Sequence, residues 1–386
     1  MSRRIPQIAV LADTSRSYGR DIVRGVRRYI AEHEPWSLYL EPRDLMSSFP
    51  AWLEKWPGDG ILARTGNREM LTRLKALGLP VVELRRLRPN LPFPFIGMDN
   101  SHMGERVAEH FRSRGFQRFA CYLDRSEEYF RERIRHFARE VRAEGFPCPI
   151  FEALSPSSRL RWDKHQQALA DWLLSLEKPV GIFASSDQLG FWLLDAARRA
   201  GISVPEEVAV VGAENDRTLC ETAWPPLSSV QFSGQTVGYT AAQLLDTWVR
   251  SGRKAPPKMK ILVPPGDIVV RQSSDIVAVE DARLARALAF IRQHATENIS
   301  VPDVAREVAL SRRALERAMK ALIGRSPAEE INRIRFVLVE RLLVQTDLTL
   351  EAIAERAGFA YAQYMAEAFR RRTGVTPGQF RARRKI

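Results

Sequence analysis

From Ser311 the chain reads Ser-Arg-Arg-Ala-Leu-Glu-Arg-Ala-Met-Lys, and at a helical period this run has two distinct faces. Leu315, Met319 and Leu322 fall on one side with the spacing of a buried stripe, while Arg312, Arg313, Glu316, Arg317 and Lys320 occupy the others. Arginine presents a planar fork of donors that matches guanine, and glutamate accepts from the amino group of cytosine, so such a helix suits a major groove. Phosphate contact or plain solvation is the competing reading for each of these side chains. Ser311 is a natural N-cap for the helix, Ala309 and Leu310 make the turn before it, and Pro302 opens a shorter helix running to Val308. The pattern recurs: Val304, Ala305 and Val308 return 49 residues later as Ile353, Ala354 and Ala357, followed by a turn at Gly358 and Phe359 and a helix from Tyr361 to Arg372. An apolar helix, Ile334 to Leu343, lies between the copies. Positive charge gathers in the same region. Residues 283–386 hold 20 Lys plus Arg against 11 Asp plus Glu, an excess of nine out of the chain's net +13, as expected of a segment that neutralises phosphates.

Other chemistries find little support. There is no P-loop, no G-x-G-x-x-G after the first strand and no G-x-S-x-G elbow. The six histidines, His33, His102, His110, His136, His165 and His294, have no metal-ligand spacing. Cys121, Cys148 and Cys220 lie far apart, which supports neither a disulfide framework nor a zinc knuckle. No cofactor and no metal are therefore expected. A sugar-acting α/β enzyme with an appended helical domain stays open as the alternative to a regulator. The apolar run Ile8 to Ala12 is too short for a signal-peptide core or a membrane span, so the expectation is a cytoplasmic protein without a membrane partner.

The elements ahead of the basic segment alternate. Strand-like runs (Gln7–Ala12, Ser37–Leu40, Gly60–Ala63, Pro80–Leu84, Phe95–Met98, Arg118–Leu123, Gly181–Ser185, Val208–Gly212) are separated by amphipathic stretches such as Arg20–Glu32, Ser101–Arg114, Glu127–Glu144, His165–Ser175 and Gln188–Ala200. This predicts parallel sheets flanked by helices, whose ligands sit beyond the carboxyl ends of the strands. The alternation stops near residue 275. The chain is expected to divide into a ligand-binding domain of two lobes over residues 1–274, a linker at 275–282 and an all-helical DNA-binding domain over 283–386.

Order and spacing in the second domain carry a family resemblance. Gly324, Arg325, Ser326 and Pro327, then Arg335, Leu342 and Leu343, then Ile353, Ala354, Gly358, Phe359, Tyr364, Phe369, Gly374, Thr376 and Pro377 resemble the AraC/XylS signature. The resemblance implies a double helix-turn-helix in which Ser311, Arg312, Arg313, Glu316 and Arg317 serve one half-site of a tandem operator in double-stranded DNA. Tyr361, Gln363 and Glu367 would serve the other. Met365 replaces the family's usual phenylalanine, a conservative core change, and Glu367 stands where a basic residue is common.

The first domain is similar to the periplasmic-binding-protein-like sensor of LacI/GalR regulators: Ala184, Ser185, Ser186 and Asp187; Val210, Val211, Gly212, Ala213, Glu214 and Asn215; Leu227 to Val230. The first strand begins almost at once, so DNA reading is expected from the other end of the chain. Together the resemblances imply a transcription regulator controlled by a small sugar, xylose or a related pentose or sugar acid. A homodimer is implied, with RNA polymerase a further candidate partner. The positions they pick for the ligand are Asp13 and Tyr18 after the first strand, Arg64, Arg85 and Arg86 in the next loops, Arg133 on a helix, Ser186 with Asp187, and Glu214 with Asn215. Asp99 and Asp187 are equally read as helix caps. The arginine-rich loops at Arg64 and Arg85–Arg88 raise an acidic sugar as a competing effector.

Overall fold

The computed structural model describes residues 4–44, 47–85, 92–153, 162–252, 259–276, 279, 281–297 and 299–384. The chain separates into two compact units, Met1–Ile276 and Val277–Ile386.

In the first unit one lobe is built from β1 (Gln7–Leu11), α1 (Ser17–Glu32), β2 (Ser37–Leu40), β3 (Gly60–Ala63), α2 (Arg68–Ala76), β4 (Val81–Glu83) and β5 (Phe95–Met98). The other is built from α3 (Asn100–Arg112), β6 (Phe119–Leu123), α4 (Glu128–Ala143), β7 (Ile150–Glu152), α5 (Trp162–Ser175), β8 (Val180–Ala184), α6 (Asp187–Arg199), β9 (Val208–Glu214), α7 (Arg217–Thr222) and β10 (Ser228–Gln231). The chain then returns to the first lobe with α8 (Gly234–Ser251) and β11 (Lys260–Val263), and to the second with β12 (Ile268–Val269). The two six-stranded sheets run β11-β5-β4-β3-β1-β2 and β12-β10-β9-β8-β6-β7, parallel throughout except where β12 meets β10. Helices cover both faces, so strands such as β3 and β6 are apolar at every position and buried at every position.

The chain passes between lobes three times, after β5, β10 and β11, and the crossings are tied to one another. Asp99 N–H donates to Val263 O at 2.8 Å, Gln231 N–H to Asp267 O at 3.0 Å and Gly266 N–H to Gln231 O at 2.9 Å. In the first lobe α8 lies along α1 at backbone contact. A side chain at Gly25 would come within 2.0 Å of Gln235 O, and one at Gly238 within 2.0 Å of Ile22 O, so only glycine permits that approach.

Strands β7, β10, β11 and β12 are absent from the sequence reading, for two reasons. β7, β11 and β12 are only three, four and two residues long and partly exposed, too short to stand out as strands. β10 is interior but opens with Ser228 and Ser229, whose polarity is hidden by hydrogen bonding: Ser228 Oγ donates to Arg271 O at 2.9 Å and Ser229 Oγ to Asp187 Oδ1 at 2.5 Å.

The second unit is helical among its described residues: α9 (Ala282–His294), α10 (Val301–Glu307), α11 (Arg312–Ile323), α12 (Pro327–Gln345), α13 (Leu350–Arg356), α14 (Ala362–Thr373) and α15 (Pro377–Arg384). Capping boxes start α10 (Ser300 with Asp303) and α12 (Ser326 with Glu329), each with proline in the first turn, and Gly324 and Gly374 end α11 and α14 in the left-handed conformation. The connecting helix α12 thus begins at Pro327, ahead of the apolar run that advertised it. Its Glu330 is buried and accepts from Arg325 Nε at 2.9 Å and Arg333 Nη2 at 2.7 Å, a pair of cations that holds the carboxyl below its ordinary range against the opposing effect of burial.

Candidate functional site

The lobes of the first unit face each other across a small cavity. From the first lobe come Tyr18 on α1, Arg64 after β3, Leu84 and Arg85 after β4, and Phe95, Gly97 and Met98 of β5; Asn100 opens α3 at a crossing. From the second come Tyr129 and Arg133 on α4, Glu214 at the end of β9 and Phe232 just past β10. Every strand of this set delivers its polar residue at or beyond its carboxyl end, where backbone groups leave the ladder and side chains can converge.

Each arginine has its own carboxylate. Arg64 pairs with Asp13, Arg85 with Glu127 and Arg133 with Glu214, the last at 3.4 Å. Arg85 also donates to Thr65 O at 2.6 Å and Gly66 O at 2.9 Å, so it is anchored in the first lobe while its Nη2 reaches Glu127 in the second. Arg133 donates to Ser185 O at 2.7 Å and Asn100 Oδ1 at 3.0 Å and lies against the rings of Phe232, Tyr129 and Phe130, at 4.8, 5.0 and 5.2 Å. Arg64 sits 5.0 Å over Tyr18, whose ring meets Phe232 edge-on at 5.0 Å. Burial raises the Tyr18 and Tyr129 hydroxyls to about 12, so both stay protonated and can donate. Asp13 Oδ2, Arg64 Nε and Arg85 Nε are buried without a protein partner. The result is a pocket of fixed donors and acceptors beside aromatic rings, with each of its three lining arginines held by a carboxylate, an arrangement suited to a polyhydroxyl ring.

The cavity brings together Tyr18, Arg64, Arg85, Arg133 and Glu214 of the positions picked from sequence, with Asp13 holding Arg64. Ser186, Asp187 and Asn215 do other work. Ser186 caps α6 by accepting from Leu189 N–H at 3.4 Å. Asp187 is the first residue of that helix, and it holds the loop after β9 by accepting from Asp216 N–H at 2.7 Å and from Ser229. Burial raises its carboxyl to about 8, with the Glu214 charge adding to the effect. Asn215 accepts from Arg271 Nη2 at 2.8 Å. Asp99 caps α3. Arg86 lies outside the described residues. Tyr129, Asn100, Phe232 and Glu127 belong to the site and were not picked; Tyr129 was within reach, since it stands one turn before Arg133 on the same helical face.

In the second unit α10–α11 and α13–α14 are two helix-turn-helix units joined by α12. Ser311 caps α11, accepting from Ala314 N–H at 3.2 Å. Leu315 and Met319 are fully buried, and Arg312, Arg313 and Arg317 are exposed, with Arg312 Nε donating to Glu316 at 2.9 Å. On α14 Met365 and Phe369 enter a core with Phe336, Ile353 and Phe359, which leaves Gln363, Tyr364, Glu367 and Arg370 outside. Tyr361 precedes α14 and is 75% exposed. The turns are equivalent: Gly358 has φ +75° and Ala309, at the same place in the first copy, has φ +53°.

Comparison with known proteins matches this build part by part. Residues 7–87 match the XylR N-terminal domain, residues 108–274 the periplasmic binding protein-like domain and residues 304–383 a helix-turn-helix domain. The xylose operon regulatory protein of Escherichia coli (strain K12) is 29% identical over 97% of this chain and 96% of its own length. That of Haemophilus influenzae is 28% identical over 99% of both. A solved structure, that of the xylose-binding transcription activator xylR, superposes with a TM-score of 0.83 at 27% identity over the whole of both chains. The chain is a DNA-binding transcription regulator, similar over its length to the xylose operon regulatory proteins. In this regulator the sensor stands in front and the DNA-reading unit behind, and the sugar-acting enzyme left open by the sequence is set aside by relatives that align from end to end and are regulators. Among the described residues no helix is long and apolar enough to cross a membrane.

Proposed function

We propose that the regulator binds a neutral pentose, xylose first, in the interlobe cavity, and that binding changes how its two helix-turn-helix units engage tandem half-sites in DNA. The observation that carries the choice of a neutral sugar is the pairing of Arg64, Arg85 and Arg133 with Asp13, Glu127 and Glu214: an incoming carboxylate would find each of these three guanidinium groups already beside a counter-charge. Of the arginines behind the acidic-sugar reading, Arg64 and Arg85 are paired in this way, and Arg86 and Arg88 lie outside the described residues. Cavity contact supports ligand roles for Tyr18, Arg64, Arg85, Arg133 and Glu214, with Asp13 positioning Arg64. Ser186, Asp187 and Asn215 support the loops around them.

Because the pocket takes residues from both lobes, a ligand that contacts both favours the closed arrangement by its differential affinity, and the crossings after β5, β10 and β11 act as the hinge. On the DNA side Arg313, Glu316 and Arg317 are assigned to base edges of one half-site and Tyr361, Gln363 and Glu367 to the other, with Ser311 and Arg312 at the groove's edge. Recognition helices about 34 Å apart meet successive major grooves on one face of the duplex. A homodimer acting in the cytoplasm, with RNA polymerase as a partner at the promoter, completes the reading. Titration calorimetry separates the effectors. Heat with xylose and none with glucuronate is expected, and binding of the uronate alone would overturn the assignment.

A further inference from the structure

Cys121 lies in the middle of β6 and Cys148 two residues ahead of β7, 27 positions further on, and the fold brings their sulfurs to 3.5 Å. The approach is set by the sheet. Cys121 pairs with Ile150 across β6 and β7, and its N–H donates to Pro149 O at 2.9 Å, so the backbones on either side of the thiols are held in register. Both are free thiols and both are buried, Cys121 fully and Cys148 at 3% exposure. An S–S bond of about 2.05 Å is within reach of a closure of about 1.5 Å, a side-chain adjustment between strands already adjacent.

The surroundings distinguish the two sulfurs. Arg142 Nη2 donates to Cys148 O at 2.8 Å, and the same arginine lines an open surface groove with Arg125, Arg131, Arg135, Arg139 and Ile150, so the backbone at Cys148 is tied to a wall of that arginine-lined groove. Burial pushes the Cys121 thiol well above its ordinary value, whereas Cys148 is lowered by the hydrogen bond from Cys121, with the Arg142 charge assisting. An attacking sulfur and a protonated resolving sulfur are thus already in contact.

We propose that Cys121 and Cys148 are a reversible redox-modification site that forms an intramolecular disulfide when a hydroperoxide reaches the second lobe. The Cys148 thiolate attacks the distal peroxide oxygen and becomes a sulfenic acid, with hydroxide (or alcohol, from an alkyl peroxide) leaving. Cys121 sulfur then displaces water from the sulfenic acid, and the S–S bond forms. Two thiols are oxidised by two electrons, and one peroxide is reduced. The bridge closes a loop that contains all of α4, the helix that carries Tyr129 and Arg133 of the cavity.

The test uses the full-length protein, reduced, then exposed to hydrogen peroxide, quenched, denatured and alkylated. The three free cysteines before oxidation should become one, Cys220, and digestion should yield a peptide pair joined through Cys121 and Cys148 that dithiothreitol separates. C220A should give the same linked pair with no thiol left. C121A, checked for folding by circular dichroism, should leave Cys148 to proceed to sulfinic acid. Three alkylated cysteines in the oxidised wild type, or a linkage that includes Cys220, overturns the proposal, and because this readout needs no variant it stands even if C121A does not fold.

Discussion

Replacing Glu127 by glutamine tests the interlobe geometry most economically. Arg85 spans the cleft: two of its bonds, to Thr65 O and Gly66 O, stay within the first lobe, and the third goes to Glu127 at the start of α4. In E127Q the guanidinium keeps its carbonyl acceptors and is not stranded, so the loss is one charge-assisted hydrogen bond, about 1.5–3 kcal/mol, rather than the full cost of an orphaned buried charge. That energy is present only when the lobes are together, so it reduces the fraction of closed protein that the sugar can bind. The apparent Kd for xylose should rise by roughly 10- to 100-fold. Calorimetry measures it, and E128Q is the control. Glu128 pairs with Arg131 and Arg135 on the same helix at partly exposed sites, where a pair contributes less than about 1 kcal/mol, and its affinity should stay near wild type. Equal xylose affinity in E127Q and wild type, with both folded, refutes the reasoning.

Three further outcomes follow from single residues. Ala309 occupies the left-handed region where the second copy has Gly358, so A309G should stabilise the helical unit by up to about 1 kcal/mol, read as a higher melting temperature; a lower one contradicts the turn assignment. Asp187 is raised to about 8 from its ordinary 3.8, so the folded state binds its proton more tightly than the unfolded state does. Its contribution is whole below about pH 4 and is lost as pH rises towards 8, by at most about 1.4 kcal/mol per unit, and D187N should flatten that part of the stability profile in denaturant melts between pH 5 and 8. R317A should weaken operator binding by roughly 1–3 kcal/mol and relax one base position in a gel-shift series; unchanged affinity and unchanged specificity would place Arg317 off the bases.

The parts of the site that were legible in the sequence are those that follow from local order. Arg64 and Arg85 come just after apolar runs, and a polar residue at the carboxyl end of a parallel strand is where a ligand is met. The helix-turn-helix units were legible because their stripes, caps and turns are set within a few residues. What escaped is what the topology decides. Phe232 and Asn100 enter the cavity only because the chain crosses between lobes where they stand, and the Arg85–Glu127 pair joins residues 42 positions apart on different lobes. The same holds for Cys121 and Cys148, unrelated by spacing and adjacent across β6 and β7. Ser186, Asp187 and Asn215 show the converse: they stand at strand ends, but their hydrogen bonds go to a helix start, a loop and Arg271, and they do not line the cavity.

The coupling of sugar to DNA is tested most directly by footprinting the full-length regulator on a duplex with two direct half-sites, with and without xylose at a concentration that calorimetry shows to be saturating. Protection that strengthens or extends with xylose, and that needs more xylose in E127Q than in wild type, is the predicted result. Identical protection at every sugar concentration, in a protein whose cavity is occupied, would contradict it.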